Sequence, residues 1–164
     1  MARRRYAVWN AATAALTAAP AGVTTGTALK TMLQLKPTTN IAIIEWGYSF
    51  ATVPTAVVNV ELITTGTVAA TVTASAAGDI VKYDDAGAAA TAATLSTTGT
   101  GFTSTAEGTI TATRLLGFQQ EWASQFKQQF PLDREPGVAA NDILRIRATT
   151  ATAVNMSCYI VWEE

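Results

Sequence analysis

The residues of this chain best suited to chemistry are a few carboxylates, and three of them lie close together in the sequence. Asp79, Asp84 and Asp85 could in principle ligate Ca²⁺, which favours flexible clusters of oxygen ligands. Their spacing matches no EF-hand loop, and residues 83–87, Tyr-Asp-Asp-Ala-Gly, have the composition of a turn. We therefore favour a solvated turn here and assign no metal ligand.

A second set of carboxylates could supply the paired acid and base of glycoside hydrolysis: Glu121, Asp133 and Glu135. Asp133-Arg134-Glu135 runs into Pro-Gly, however, and is more simply a turn whose arginine forms ion pairs. The chain has no histidine and one cysteine, Cys158, so His-based triads, most zinc sites and an intrachain disulfide are excluded. We predict that the chain is not an enzyme and holds no cofactor. Cys158 is predicted to be a small buried apolar residue.

The strongest charge feature is a run of three arginines near the N-terminus, followed by an aromatic residue. Residues 1–26 otherwise consist largely of Ala and Thr with Pro and Gly, which predicts an extended N-terminal arm; residues 11–19 could form a short helix. Adjacent cations can pair with an acidic protein or with DNA phosphates, but a net charge of −1 disfavours nucleic acid. The predicted partner-binding residues of the arm are Arg3, Arg4, Arg5, Tyr6 and Trp9.

The composition favours an assembly protein. The chain has 164 residues, enough for one domain with a core, but only 14% are charged against a usual share of about 25%. Small Ala and Thr side chains make a weak monomeric core, which would gain from burial on neighbouring subunits. No apolar run is long enough for a transmembrane helix, and we expect cytoplasmic synthesis without export.

The hydrophobic pattern predicts a single all-β domain over residues 27–164. Runs of alternating or β-branched residues indicate strands at 41–50, 57–63, 68–74, 108–116, 126–130, 143–147 and 154–162. Ile44, Trp46, Tyr48 and Phe50 should share one face of their strand. The last two strands are predicted to form a hairpin, and residues 84–105 a low-complexity surface loop. About eight strands without crossover helices favour an antiparallel β-sandwich of the jelly-roll type.

Several segments resemble a family of small structural proteins of tailed bacteriophages, the capsid decoration or cement proteins. The segments are Ile44–Phe50, Val58–Leu62, Ala106–Ile110, Phe130–Pro136, Leu144–Arg147 and Val161–Glu164. The resemblance implies a jelly-roll-like sandwich on the outside of the virion head, often as a trimer. It also implies binding to the major capsid protein.

Together these observations predict a protein that staples neighbouring capsomers, with the arm and the loop ordering on adjacent subunits. Deleting residues 1–26 is then expected to leave a folded body that binds heads poorly. Two alternatives stay open: a phage tail or neck component, and a trimeric glycan-binding module. The glycan hypothesis requires exposed aromatic residues on loops, whereas most aromatic residues here lie in strand-like runs. An enzyme is the third choice.

Overall fold

The computed structural model describes residues 4–84, 91–108, 111–122 and 125–164, and within them the chain is all-β. The strands are β1 (Arg5–Trp9), β2 (Val23–Thr24), β3 (Lys30–Leu35), β4 (Ile41–Phe50), β5 (Val58–Thr64), β6 (Thr71–Ala74), β7 (Val81–Lys82), β8 (Gly101–Ala106), β9 (Arg114–Glu121), β10 (Gln125–Gln129), β11 (Gly137–Val138), β12 (Leu144–Thr150) and β13 (Asn155–Glu163). A single 3₁₀ turn at Ala77–Asp79 is the helical element of this part of the chain, where no helix has the length and apolarity needed to span a membrane.

The strands form two antiparallel sheets. The first sheet runs β10-β4-β13-β1-β7, with β11 also paired to β4 and β2 to β13. The second sheet runs β6-β8-β3-β12-β5-β9. Their facing sides enclose one hydrophobic cluster, whose largest members, Trp46 and Trp162, are fully buried. The predicted antiparallel β-sandwich is therefore confirmed.

Eight of the strands have the connectivity of a jelly roll. Counted along the chain, these eight are β1, β3, β4, β5, β9, β10, β12 and β13. The first sheet places them in the order first, eighth, third, sixth, and the second in the order second, seventh, fourth, fifth. These two orders are those of two interlocked Greek keys, as in jelly rolls. The described residues hold thirteen strands rather than about eight, because β2, β6, β7, β8 and β11 extend the sheets beyond this framework.

The predicted terminal hairpin is wrong. β12 pairs with β3 and β5 in the second sheet, whereas β13 pairs with β4 and β1 in the first. The short turn between them therefore crosses from one sheet to the other. Both strands begin with alternating apolar and polar residues, and such a pattern fixes the face of each residue but not the sheet to which a strand belongs.

Strand β4 changes the face that it buries part of the way along. Trp46, Tyr48 and Phe50 point into the core as predicted, but Ile44 is only half-buried and lies outside the core cluster. The register against β13 shifts there, because Val161 pairs with Glu45 and Trp162 with Ile43. This irregularity adds a residue and returns Ile43 to the core, as a β-bulge does.

The prediction of an arm outside the sandwich is wrong for Arg5–Trp9. This segment is β1, which lies between β13 and β7, and Tyr6, Ala7 and Val8 are fully buried. The alternation of apolar and polar residues in β1 covers only a few positions. Its residues are buried because β1 pairs with β13, which is distant in the sequence. Residues 11–19 form turns and bends rather than a helix, because Asp79 accepts hydrogen bonds from the backbone of Thr13 and Ala14.

The predicted loop at 84–105 is wrong over its last part. Gly101–Ala106 is strand β8, which pairs with β6 on one side and β3 on the other. Thr and Ser fit a pleated, half-buried surface without giving a strong hydrophobic signal. Residues 85–90 of the predicted loop lie outside the described part of the chain.

Candidate functional site

The residues predicted to contact a partner through the arm have separate environments in the structure. Arg3 lies outside the described residues. The backbone of Arg4 pairs with that of Glu164 in both directions, at 3.3 and 2.9 Å. Tyr6 stacks on Trp162 in the core, with ring centroids 5.7 Å apart, and so offers no surface for a partner. Trp9 is half-buried and reaches the outer face of the first sheet.

Arg5 binds Asp84 through three hydrogen bonds. The Arg5 backbone N–H donates to Asp84 Oδ2 at 2.8 Å, and the guanidinium donates to Oδ1 through Nε at 3.1 Å and Nη2 at 2.9 Å. These contacts, the backbone hydrogen bond foremost, lower the pKa of the Asp84 carboxyl below its ordinary value of 3.8. The arginine predicted to reach a partner therefore already has an acidic neighbour within the chain.

The depressed pKa of Asp84 gives a pH-dependent prediction. Because the pKa is lower in the folded chain, the contact stabilises the fold above the unfolded pKa and is lost as pH falls through the folded value. In an NMR pH titration the Asp84 carboxyl should titrate below pH 3.8. Arg5→Met removes the guanidinium but keeps the backbone N–H, so it should move that midpoint only part of the way up towards the ordinary value; an unchanged midpoint would show that the guanidinium contributes nothing to the shift.

The three aspartates considered as calcium ligands are not brought together among the described residues, and the solvated turn predicted for them is wrong at Asp79. The Asp79 carboxylate is buried and accepts backbone hydrogen bonds from Thr13, Ala14 and Ala76 at 2.6–2.8 Å. Asp84 is held by Arg5, and Asp85 lies outside the described residues. Asp79 thus fixes the 3₁₀ turn against the segment that follows β1, and no group of three or more potential metal ligands occurs in the part of the chain that the structure describes.

The remaining residues considered for chemistry lie in a turn, at the end of a strand and in the hydrophobic core. Residues 131–134 form a turn in which the Arg134 N–H donates to the Pro131 carbonyl, and Asp133 has a left-handed φ of 65°. Glu121 is the last residue of β9 and pairs with Val58 across the sheet edge. Cys158 is fully buried in the core, and burial raises the pKa of its thiol well above the ordinary value.

One half of the outer face of the second sheet is covered by a buried polar network. Arg145, fully buried, donates to the carbonyls of Val68 and Glu107 at 2.5 and 3.0 Å and lies 3.6 Å from the Glu107 carboxylate. That carboxylate also accepts two 2.6 Å hydrogen bonds from Thr31. The side-chain amide of Gln34 accepts a hydrogen bond from the Ala70 N–H through Oε1 and donates one to the Gly99 carbonyl through Nε2. These contacts hold the segments on either side of β6 and β8 against the sheet.

The other half of this face, next to the sheet edge, leaves more of its side chains exposed among the described residues. β9 is the last strand of the second sheet and pairs only with β5 among the described strands. It exposes three large apolar side chains, Leu115 at 62%, Phe118 at 47% and, one residue beyond its end, Trp122 at 62%. We call these three residues the β9 strip. Isolated apolar residues are ordinary on a surface, but three on one edge strand indicate an interaction site.

The sequence does not predict the β9 strip, although its three residues are large and apolar. The segment from Arg114 to Trp122 was partly assigned to a strand, but the apolar residues of an edge strand and those of a central strand give the same pattern. The register shift of β9 beside Leu62 also places Leu115 and Phe118, three residues apart, opposite the outward-facing residues Ile63 and Glu61. No sequence signal identifies such a shift.

The fold and these surfaces define a jelly-roll β-sandwich domain with an exposed apolar edge. No protein-family model, curated protein or solved structure matches this chain. The function therefore has to be argued from the domain's own surfaces.

Proposed function

We propose that this protein is a structural virion protein that binds the outer surface of a phage capsid and staples neighbouring capsomers. The β9 strip is the observation that carries the proposal. It is an apolar surface on an open sheet edge of a domain whose other candidate sites are occupied by internal contacts. The resemblance to capsid decoration proteins supplies the partner, the major capsid protein, and the expected trimer.

The chemistry of the strip suits attachment to a protein surface. Complete burial of a large apolar side chain contributes about 1.5–3 kcal/mol, so covering what Leu115, Phe118 and Trp122 still expose would contribute about 3–5 kcal/mol. The unpaired backbone groups of β9 can add hydrogen bonds to an extended segment of the partner, as in β-strand addition. The three side chains of the strip are uncharged and apolar, so the partner surface that covers them should also be apolar.

A contact of this strength gives a dissociation constant no tighter than about 1 mM when it acts alone, because association also costs translational and rotational freedom. Several such contacts on one trimer, presented to a repeating shell, bind far more tightly because each attached strip raises the effective concentration of the next. A strip of this size is therefore sufficient for stable attachment only when several copies bind at once, as they would in stapling neighbouring capsomers. Residues 5–9 are not available for it, since they form β1.

The proposal predicts that the strip controls head binding. In co-sedimentation with undecorated heads, the triple substitution Leu115→Ser, Phe118→Ser, Trp122→Ser should reduce occupancy at least about tenfold. The matched control, Val53→Ser with Leu132→Ser, removes two exposed apolar residues outside the strip and should bind as the wild type does. Circular dichroism should show both variants folded, since all five side chains are largely exposed. Equal occupancy of wild type and triple variant would reject the strip, and failure of the wild type to bind any head would reject the function.

A further inference from the structure

A groove with a volume of about 430 Å³ opens on the outer face of the first sheet. This volume lies within the range of small-molecule sites. Two cross-strand rows form the groove, one of Trp9, Tyr159, Gly47 and Lys127 and the other of Ser157, Ser49 and Gln125. The rows place aromatic rings on the β1 side, small residues in the middle and long polar side chains on the β10 side.

The aromatic side of the groove is a pair of stacked rings. Trp9 and Tyr159 lie on paired strands, with ring centroids 5.8 Å apart and planes inclined by 27°. The Tyr159 hydroxyl donates to Glu45 at 2.5 Å, which fixes the direction of its ring. Burial, together with this hydrogen bond and the Glu45 charge, raises the pKa of Tyr159, so the phenol stays neutral. Both rings are half-buried and keep part of their surface open.

The central strands carry small residues in the middle of the groove, Gly47 in one row and two serines in the other. A Cβ at Gly47 would lie 2.8 Å from the Phe126 carbonyl oxygen and 2.9 Å from Cε1 of Tyr159, so the position next to the aromatic pair admits no side chain. Ser49 and Ser157 are opposite each other in the adjoining row. The Tyr159 ring therefore lies over Gly47, and the smallest lining side chains beside it are those of the two serines.

The polar groups of the groove are available to a ligand and carry no net charge. Among the described residues, the side chains of Ser49, Ser157 and Gln125 make no hydrogen bond to another part of the chain. Lys127 lies 3.1 Å from Glu45, so its positive charge is neutralised by the carboxylate that orients Tyr159. Free hydroxyl and amide groups without excess charge suit a neutral, hydroxyl-rich ligand.

We propose that this groove binds an uncharged pyranose saccharide. A pyranose ring has an apolar face of C–H groups, which packs on aromatic rings such as Trp9 and Tyr159. Its rim of hydroxyls would reach the side chains of Ser49, Ser157 and Gln125. Trp9, predicted in the arm, and Tyr159, predicted in a strand, both lie in strands of the structure and share the outer face of the first sheet.

This site is independent of the β9 strip. Phe118 lies in the cross-strand row of Glu61 and Arg147, on the outer face of the second sheet, whereas the groove lies on the outer face of the first. These two faces point in opposite directions in a sandwich. A protein attached to a shell by its second sheet would therefore present the groove to the surroundings, where cell-surface or medium polysaccharides occur.

The test is a binding measurement with defined sugars on the intact chain. The probes are maltohexaose, cellohexaose and chitohexaose, with a sulfated dextran oligomer as the charged comparison, measured by calorimetry and saturation-transfer NMR. We expect at least one neutral hexasaccharide to bind with a dissociation constant of about 1 mM or tighter, and more tightly than the sulfated one. No binding of any neutral probe, or preference for the sulfated probe, would overturn the proposal.

Substitutions locate that binding in the groove. Trp9→Ala should weaken it at least about tenfold and Trp9→Phe by less than about threefold, because phenylalanine keeps an aromatic face. Gln125→Ala should weaken it severalfold, whereas Gln120→Ala, an exposed glutamine on the second sheet, should leave it unchanged. Gln125 is exposed, so its variant decides the matter even if Trp9→Ala fails to fold. Wild-type affinity in Gln125→Ala and in a folded Trp9→Ala would place the sugar elsewhere and reject the groove.

Discussion

A chain that lacks residues 1–10 should fail to fold. The deletion removes β1 and with it the fully buried side chains of Tyr6 and Val8, each worth about 1.5–3 kcal/mol of apolar burial. It also removes the five-residue ladder between β1 and β13, in which each hydrogen bond contributes about 1 kcal/mol. These losses together approach the total stability of a typical domain, about 5–15 kcal/mol. Far-ultraviolet circular dichroism and the amide spectrum should show an unfolded chain.

Two single substitutions test whether the stability comes from the buried side chains of β1 and not from the segment that follows it. Tyr6→Ala should lower the free energy of unfolding by about 3–5 kcal/mol, because it leaves a large cavity beside Trp162. Leu16→Ala changes a largely exposed residue in the segment that follows β1 and should change it by less than about 0.5 kcal/mol. A cooperatively melting deletion variant would show instead that this segment behaves as the detachable arm that the sequence suggests.

Glu107→Ala should be the most destabilising single change of a charged residue outside the hydrophobic core. The carboxylate neutralises Arg145, which has no exposed surface, and it accepts both hydrogen bonds of Thr31. Its removal leaves a buried guanidinium without its counter-charge, a loss of about 3–5 kcal/mol in comparable buried pairs. We expect about 3 kcal/mol in urea denaturation, the lower end, since the Glu107 side chain retains 15% exposure.

The controls separate the charge from the hydrogen bonds. Glu107→Gln keeps an acceptor for Thr31 but removes the charge, so its stability should fall between those of the wild type and Glu107→Ala. Asp84→Ala breaks a pair on the surface of the molecule and should leave the urea midpoint within measurement error. Equal midpoints for Glu107→Ala and Asp84→Ala would mean that Arg145 is solvated rather than buried.

The sequence predicts the strands whose own residues carry a strong alternating pattern. It does not predict strands whose position depends on pairing with other strands. β4, β5, β12 and β13 lie close to their predicted positions because β-branched and aromatic residues alternate along them. β1 and β8 were missed because small or polar residues surround few large ones. The pairing of β12 and β13 with different sheets depends on long-range contacts, which a local pattern does not contain.

The candidate sites also divide into features that the local sequence predicts and features that depend on the completed fold. The turn at residues 131–134 follows from its composition, and Trp9 is among the predicted contact residues. The solvated turn predicted for Asp79 is wrong, because its carboxylate is buried against backbone N–H groups that come from a distant segment. The neighbour of Trp9, Tyr159, lies 150 positions further along the chain. Because the two rings are so far apart in sequence, no local pattern predicts that they meet. The β9 strip depends on which strand ends a sheet, which is a property of the completed fold.

The pairing of β1 with β13 has a kinetic consequence. Trp9 pairs with Tyr159, 150 positions further along, so β13 has to be synthesised before β1 can take its place in the first sheet. Sheets dominated by such distant pairings fold in about milliseconds to seconds, far more slowly than helical domains. Until then Tyr6 and Val8 are uncovered on the ribosome, and a chaperone that shields short apolar segments would raise the yield of native protein.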